Sequence, residues 1–211
     1  VRYWKPKPLL AKPLVGIAVA SFLNGEDKER RVASLCGLLH AFCAQTYTNW
    51  QVLVTHDGPL VGELSPYLVE LLKDKRISFI ATEERKQQFG HPHRQAAIES
   101  LVKKGAEWVG LTNDDNYYMP VYFEWLLTIA QEKKADFVYC DSVHSHKQWK
   151  PLTGEIRRGR IDLGGFLANK GLLAKVKFDK FTFAGDWDFI YRLRLATKRV
   201  AKAHGTLFVH N

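Results

Sequence analysis

Residues 107–120 read Glu107-Trp108-Val109-Gly110-Leu111-Thr112-Asn113-Asp114-Asp115-Asn116-Tyr117-Tyr118-Met119-Pro120. A short apolar run closes abruptly in amide and acid groups, the pattern of a buried strand that ends in a turn. Pro120 suits the first position of a following helix, where no amide hydrogen is needed. In an open α/β sheet, ligands bind beyond the carboxyl ends of the strands. Two adjacent carboxylates there repel each other, and a hard divalent cation shared with a substrate phosphate would offset them. An Asx-rich turn whose side chains cap backbone amides is the other reading of the same residues.

The flanking chain supplies the rest of such a sheet. Residues 14–21 are a near-continuous apolar run, as expected of a strand buried on both faces, closed by the loop Phe22-Leu23-Asn24-Gly25. A helix follows over 28–45, with Val32, Leu35, Leu39 and Phe42 on one face. A second strand over 50–55 ends in the turn His56-Asp57-Gly58-Pro59. Next come a helix over 60–72, a strand over 76–81 and a polar loop over 82–90, followed by a helix over 93–103. His91 and His93, flanking Pro92, read as exposed loop residues. Beyond Pro120 the pattern predicts a helix over 121–133, with Phe123, Leu126, Leu127 and Ala130 inward, and a strand over 137–140. Residues 144–160 lack periodicity and carry Lys147, Lys150, Arg157, Arg158 and Arg160, which reads as a solvated loop or as a flap facing phosphate or acceptor. A helix over 188–197 and a strand over 205–210 complete the chain. The alternation predicts an α/β fold with a largely parallel sheet. It forms one domain over 14–211, preceded by a proline- and lysine-rich extended arm over 1–13.

Charge narrows the partners. Lys and Arg total 31 against 22 Asp and Glu, a net charge of +9, which favours an anionic partner such as a nucleotide diphosphate, an acidic glycan or, at the periphery, anionic lipid. With no finger, basic zipper or RNA-recognition signature, nucleic acid is not expected. No apolar run approaches a membrane span and no signal peptide is visible. The three cysteines, Cys36, Cys43 and Cys140, lack metal-type spacing and suit a reducing compartment. A cytoplasmic protein is therefore expected, and the apolar run just before Asn211 suits a domain excised from a longer polypeptide with further domains.

Several short stretches fall in a familiar order: Ala20-Ser21-Phe22, Ala44-Gln45-Thr46-Tyr47-Thr48-Asn49-Trp50, His56-Asp57-Gly58 and Arg94-Gln95-Ala96-Ala97-Ile98. The 112–120 part of the central stretch follows, then Ile161-Asp162 and Gly185-Asp186-Trp187-Asp188. Together they resemble the family-2-like glycosyltransferases of GT-A fold, particularly the spore-coat polysaccharide type, over residues 13–211. The resemblance implies a Rossmann-like nucleotide-diphospho-sugar transferase fold. It also implies metal-dependent, inverting transfer from a nucleotide-diphosphate sugar, a UDP-sugar in the first place, to a hydroxyl of a glycan or polysaccharide acceptor.

The match assigns roles residue by residue. Asp115 takes the principal metal ligand of the family's DxD motif, and Asp114 faces the donor ribose or sugar. Asn113, a neutral ligand, stands where a strict DxD has its first acid, which implies Mn²⁺ or Mg²⁺ held weakly until the donor diphosphate shares it. Ser21 and Phe22 match a Thr/Ser-Tyr pair whose ring stacks on the nucleotide base. The second strand, which usually ends Asp-Asp, ends His56-Asp57 here, so one of these two reads the uracil imide, Asp57 for preference. Arg94 matches a basic residue that contacts base or diphosphate, a task suited to a fork of donors that is always charged. Asp162 lies near donor sugar or acceptor, or caps a helix or strand. Asp186 takes the general base needed by the attacking hydroxyl, with helix capping as its other reading. Asp188 is the second choice for base, although two residues along a helix it faces away. His210 falls where some GT-A enzymes supply a metal-binding histidine, and imidazole suits Mn²⁺. Two rivals remain from the residues themselves. A sugar nucleotidyltransferase wants a glycine-rich phosphate loop after the first strand, which Phe22-Leu23-Asn24-Gly25 does not supply. A non-catalytic glycan- or nucleotide-binding module would treat Asn113 as decay of the metal site.

Overall fold

The computed structural model describes residues 8–211. Of the arm expected over 1–13, residues 1–7 lie outside the described residues, and 8–13 run without regular secondary structure. There the Pro13 carbonyl accepts from Tyr47 Oη (2.5 Å) and the Lys12 carbonyl from Asn49 Nδ2 (2.7 Å).

Four parallel strands build the first half of the sheet: β1 (Val15–Ser21), β2 (Trp50–His56), β3 (Ile77–Ala81) and β4 (Trp108–Asn113). β1 lies between β2 and β4, and β3 pairs with β2 at the edge. Alternate residues enter two separate cores, which explains why these strands are apolar throughout rather than alternating. Ile17, Val19, Val52 and Val54 join one core, with helices α1 (Lys28–Cys43), α2 (Pro66–Leu71) and α4 (Tyr122–Lys133). Ala18, Leu53, Val109 and Leu111 join the other, with α3 (His91–Lys103), α5 (Lys170–Leu173) and α6 (Gly185–Ala196).

The second half mixes directions. It contains β5 (Tyr117–Tyr118), β6 (Phe137–His144), β7 (Lys150–Leu152), β8 (Phe166–Asn169) and β9 (Val200–His210). The strand order is β3-β2-β1-β4-β8-β6-β9-β5, with β7 on β6. β8 runs antiparallel to both β4 and β6, whereas the long β6–β9 pairing is parallel. The longest pairings in the sheet are thus parallel, as expected, and the antiparallel ones are short.

Several boundaries differ from expectation, each for a local reason. The helix over 60–72 shrinks to α2: Gly62 takes a left-handed φ of +73°, and Ser65 caps the helix by accepting from Leu68 N (3.2 Å) with Pro66 in the first turn. Pro92 likewise belongs to the first turn of α3, so His91 and His93 lie inside the helix and are buried, not exposed. Pro120 stops short of α4 and offers its carbonyl to Thr46 N (2.8 Å) instead. Part of the 144–160 stretch is a hairpin: β6 runs on to His144, turns through a 3-10 helix over Ser145–Lys147, and returns as β7. β8 and α5 are too short for periodicity to announce them. β9 begins at Val200, ahead of the expected 205, and bulges around His204 and Gly205, where a Cβ on Gly205 would lie 2.9 Å from the Trp125 ring.

Candidate functional site

Strand register sets the floor of the site. Ser21 lies opposite His56, and Ala20 opposite Asn113, so β1, β2 and β4 finish along one line. A cleft of about 520 Å³ opens beyond that line, within the size range of ligand sites. It gathers Ser21, Phe22, Asp57, Arg94, Asn113, Asp114 and Asp115 into one wall. His56 is fully buried beneath them.

At one end, the Phe22 ring stacks on His56, with centroids 5.7 Å apart and planes at 22°. The guanidinium of Arg85, exposed in the loop after β3, lies 3.8 Å from the same ring's centroid. His56 Nδ1 donates to the Gly58 carbonyl (2.8 Å), while its Nε2 is buried without a partner among the described residues. Burial pulls the imidazole pKa down, keeping it neutral. Asp57 is heavily engaged: Oδ1 accepts from Lys86 N (2.7 Å) and His93 Nε2 (2.6 Å), and Oδ2 from Gln87 N (2.8 Å). Burial alone raises its pKa, but these bonds outweigh it and hold the carboxyl below its usual value. They also pin a loop in which Gln87, Gln88 and Phe89 all take left-handed φ values (58°, 44° and 57°), a conformation that persists only where the surroundings enforce it.

Arg94, on α3, is only 4% exposed. Its Nη1 donates to the Phe89 carbonyl (2.5 Å), and Nη2 donates to Asn113 Oδ1. Asn113 therefore anchors the guanidinium at the end of β4. Burial opposes the Arg94 charge, and the carboxylates of Asp186, Asp162 and Asp114 support it. Asp114 is buried and accepts at Oδ2 from Ser21 Oγ (2.6 Å) and Phe22 N (3.3 Å), with burial pushing its pKa up. Burial raises Asp115 too, against the pull of His210; its Oδ1 is sealed and has no partner among the described residues.

Asp186 occupies the first turn of α6, where the helix N-terminus favours negative charge. It makes no capping bond. The side chain is 45% exposed, yet its Oδ1 is sealed and unpartnered, 3.3 Å from His91 Nδ1 without hydrogen-bond geometry. His91 Nε2 donates to the Thr182 carbonyl (3.0 Å), and Arg94 Nη1 donates to His91 Nδ1 (3.3 Å), so that nitrogen turns a lone pair toward the acid. Burial pushes the Asp186 pKa up to about 6, with Arg94 drawing it down and Asp162 raising it. Asp186, Asp162, Phe183, Trp187 and Arg158 border a second pocket of about 280 Å³. Asp188 does not share it: its oxygens accept from Lys180 Nζ (2.6 Å) and Arg192 Nε (2.7 Å). Asp162 caps the turn that follows it, accepting from Gly164 N (3.0 Å), and, unexpectedly, places Oδ2 3.6 Å from His210 Nε2.

The residues present fit a divalent cation. Asp115 Oδ1 and His210 Nδ1 are both buried without a partner among the described residues, an unfavourable state for polar atoms unless something pairs with them. A carboxylate oxygen and an imidazole nitrogen are suitable donors for such an ion. Sequence reading missed Arg85, His91 and His144. Arg85 and His91 looked like loop residues, and His144 gains significance only when β6 is known to pair with β9.

No protein-family model matches the chain, and no curated protein sequence does. Solved structures do. S. aureus TarS (1–349) superposes with a TM-score of 0.75 at 14% identity, covering 94% of this chain and 60% of that one. The fold is that of the GT-A glycosyltransferases. The same TarS fragment in complex with UDP-GlcNAc matches at TM-score 0.71 and 16% identity, over 93% of this chain and 58% of its own. The mannosyltransferase PcManGT of Pyrobaculum calidifontis, in complex with GDP-Man and Mn²⁺, matches at 0.68 and 12%, over 98% and 59%. This GT-A chain thus spans about 60% of the length of these solved chains.

Proposed function

We propose that the chain is a metal-dependent inverting glycosyltransferase that takes a sugar from a nucleotide-diphosphate donor, most simply a UDP-sugar, and passes it to a hydroxyl of a glycan or polysaccharide. The observation that carries this reading is the joint placement of Arg94, Asp114 and Asp115 at the carboxyl ends of the parallel strands, with Asp186 linked to Arg94 through His91, whose Nδ1 lies 3.3 Å from both Asp186 Oδ1 and Arg94 Nη1. The neighbouring structures bound to UDP-GlcNAc and to GDP-Man with Mn²⁺ support it. So does the resemblance to family-2, spore-coat-type enzymes. Three free thiols suit a cytoplasmic setting.

In this reading the nucleotide base lies on Phe22 in the region now covered by Arg85, with Ser21, His56 and Asp57 shaping the wall. Arg94 faces the diphosphate, and Asp114 and Asp162 face the donor's sugars. Asp115 and His210 would hold a Mn²⁺ or Mg²⁺ ion, whose charge offsets that of the departing diphosphate. The acceptor oxygen attacks the anomeric carbon as Asp186 removes its proton. The bond from that carbon to the phosphate oxygen breaks, its electron pair leaves with the nucleoside diphosphate, and the anomeric configuration inverts. A carboxyl with a pKa raised toward neutrality is a better base for this than an ordinary aspartate.

The test is a panel of nucleotide sugars offered with Mn²⁺ and oligosaccharide acceptors, following nucleoside diphosphate release and the anomeric configuration of the product. Release that depends on an acceptor, with an inverted product, is expected. Retention of configuration, or pyrophosphate formed from UTP and a sugar phosphate, would overturn the reading.

A further inference from the structure

His144, at the end of β6, is the direct register partner of His210 at the end of β9. Because parallel neighbours project to the same face, their rings stack 4.0 Å apart at 12°. The third element is the turn that begins at Asp162. Gly164 in that turn packs so closely on β9 that a Cβ there would lie 2.2 Å from Phe208. This close approach brings the Asp162 carboxylate to the histidine pair, and one ligand atom from each of His144, Asp162 and His210 lies within 4.8 Å of the other two. Ligands about 2.1 Å from a shared ion are separated by roughly 3 to 4 Å, so small side-chain rotations suffice to converge them. His146 N donates to His144 Nδ1 over a long 3.3 Å, a contact that binding through the other ring nitrogen would give up.

We infer that His144, Asp162 and His210 form a transition-metal site that fills without nucleotide and presents its open coordination positions toward Asp115 and the donor cleft. Two imidazoles and one carboxylate are the donor set of Mn²⁺, Fe²⁺, Co²⁺ or Zn²⁺; Mg²⁺ prefers oxygen donors and retains much of its water. Three protein ligands leave room for further ones. Tyr117 pairs with Val209, and Asn211 N donates to Asn116 Oδ1 (3.3 Å), so the turn that carries Asp115 lies beside the end of β9 that carries His210. The inference deepens the proposed donor site and relies on that reading only for the role of Asp115. It reverses the expectation from Asn113: the acid missing from the DxD position is compensated by imidazoles on β6 and β9, so the ion need not await a diphosphate.

The experiment uses tag-free protein stripped of metal and titrated with Co²⁺, Mn²⁺, Zn²⁺ and Mg²⁺ in the absence of nucleotide. Calorimetry and the visible absorption of bound Co²⁺ provide the readouts. One equivalent of Co²⁺ is expected to bind at least 100-fold more tightly than Mg²⁺. His144→Ala and the milder His144→Gln should each weaken Co²⁺ about 10- to 100-fold, and His204→Ala, an exposed histidine on β9, should leave it unchanged. Equal affinity for Mg²⁺ and Co²⁺, or wild-type Co²⁺ binding by both His144 variants, would refute the site. UDP binding is measured on the same samples: Co²⁺ bound with no UDP binding sinks the donor reading alone, whereas UDP bound with no Co²⁺ sinks the metal site alone.

Discussion

Asp186 shows how burial and position prepare a single carboxyl. Its pKa of about 6 arises from burial first, tempered by Arg94 and reinforced by Asp162. As the proposed base it must be ionised, so kcat should fall as pH drops below about 6, which a pH–rate profile will read. The same shift has the opposite sense for stability. An unfolded aspartate titrates near 4, so between about pH 4 and 6 the folded chain holds this proton more firmly. The group's contribution is therefore largest at low pH and is lost as pH rises through that window. Asp186→Asn should accordingly melt at a higher temperature than the parent at pH 7.5, with the gap closing at pH 4. Its transfer rate should fall by about 10²- to 10⁴-fold while UDP affinity, measured by calorimetry, stays unchanged. Resemblance could nominate Asp186 because an acidic residue beside a glycine and a tryptophan is visible in the chain. It could not reveal His91, whose lone pair faces the acid only because α3 and α6 meet.

At the level of elements, two joints carry the site. Gly185 opens α6 where a Cβ would lie 2.3 Å from the Lys180 carbonyl and 2.8 Å from His91 Nε2. Gly185→Ala must therefore displace the helix start and Asp186 with it. A loss of about 1 to 3 kcal/mol in urea denaturation is expected, with a lower kcat. The loop over 82–90 depends on Asp57 in the same way. In Asp57→Asn the carboxamide has one accepting oxygen instead of two, and its NH₂ faces a backbone N–H. Unfolding free energy should drop by about 1 to 3 kcal/mol, and UDP should bind at least 10-fold more weakly by calorimetry. Strands β1 to β4 were legible as apolar runs of five to seven residues bounded by turn residues, and the larger helices because burial on one face writes a periodic pattern into twelve or more. β8, with four residues, and β5, with two, are defined by their partners and leave no such pattern. Asp188 illustrates the remaining gap: its neighbours in sequence suggested a reserve base, but Lys180 and Arg192 occupy it.

For the whole molecule, the parallel half of the sheet supplies the wall of the larger cleft, which we propose takes the nucleotide, and the mixed half supplies Asp162, His144 and His210. A ligand bound across the two stabilises the folded chain by mass action. UDP at about 100 times its Kd contributes about 2.7 kcal/mol, which for a domain of this size raises Tm by about 5 to 10 °C; differential scanning fluorimetry will show it. Among the described residues no helix is long and apolar enough to cross a membrane. The order of the strands, unlike their existence, could not be read from the chain. Nothing local specifies that β8 inserts between β4 and β6, since that depends on contacts between residues far apart in sequence.

The seat of β9 also bears on how the molecule is made. Tyr117 and Tyr118 hydrogen-bond across to Val209 and Phe208, so a ribosome that has finished the aspartate pair must still deliver some ninety further residues before this edge can zip shut. A nascent chain can shape the wall of the cleft early, but the histidine cluster forms only as β9 slides home, so trapping this protein half-translated should yield a species that is folded in part and lacks that cluster.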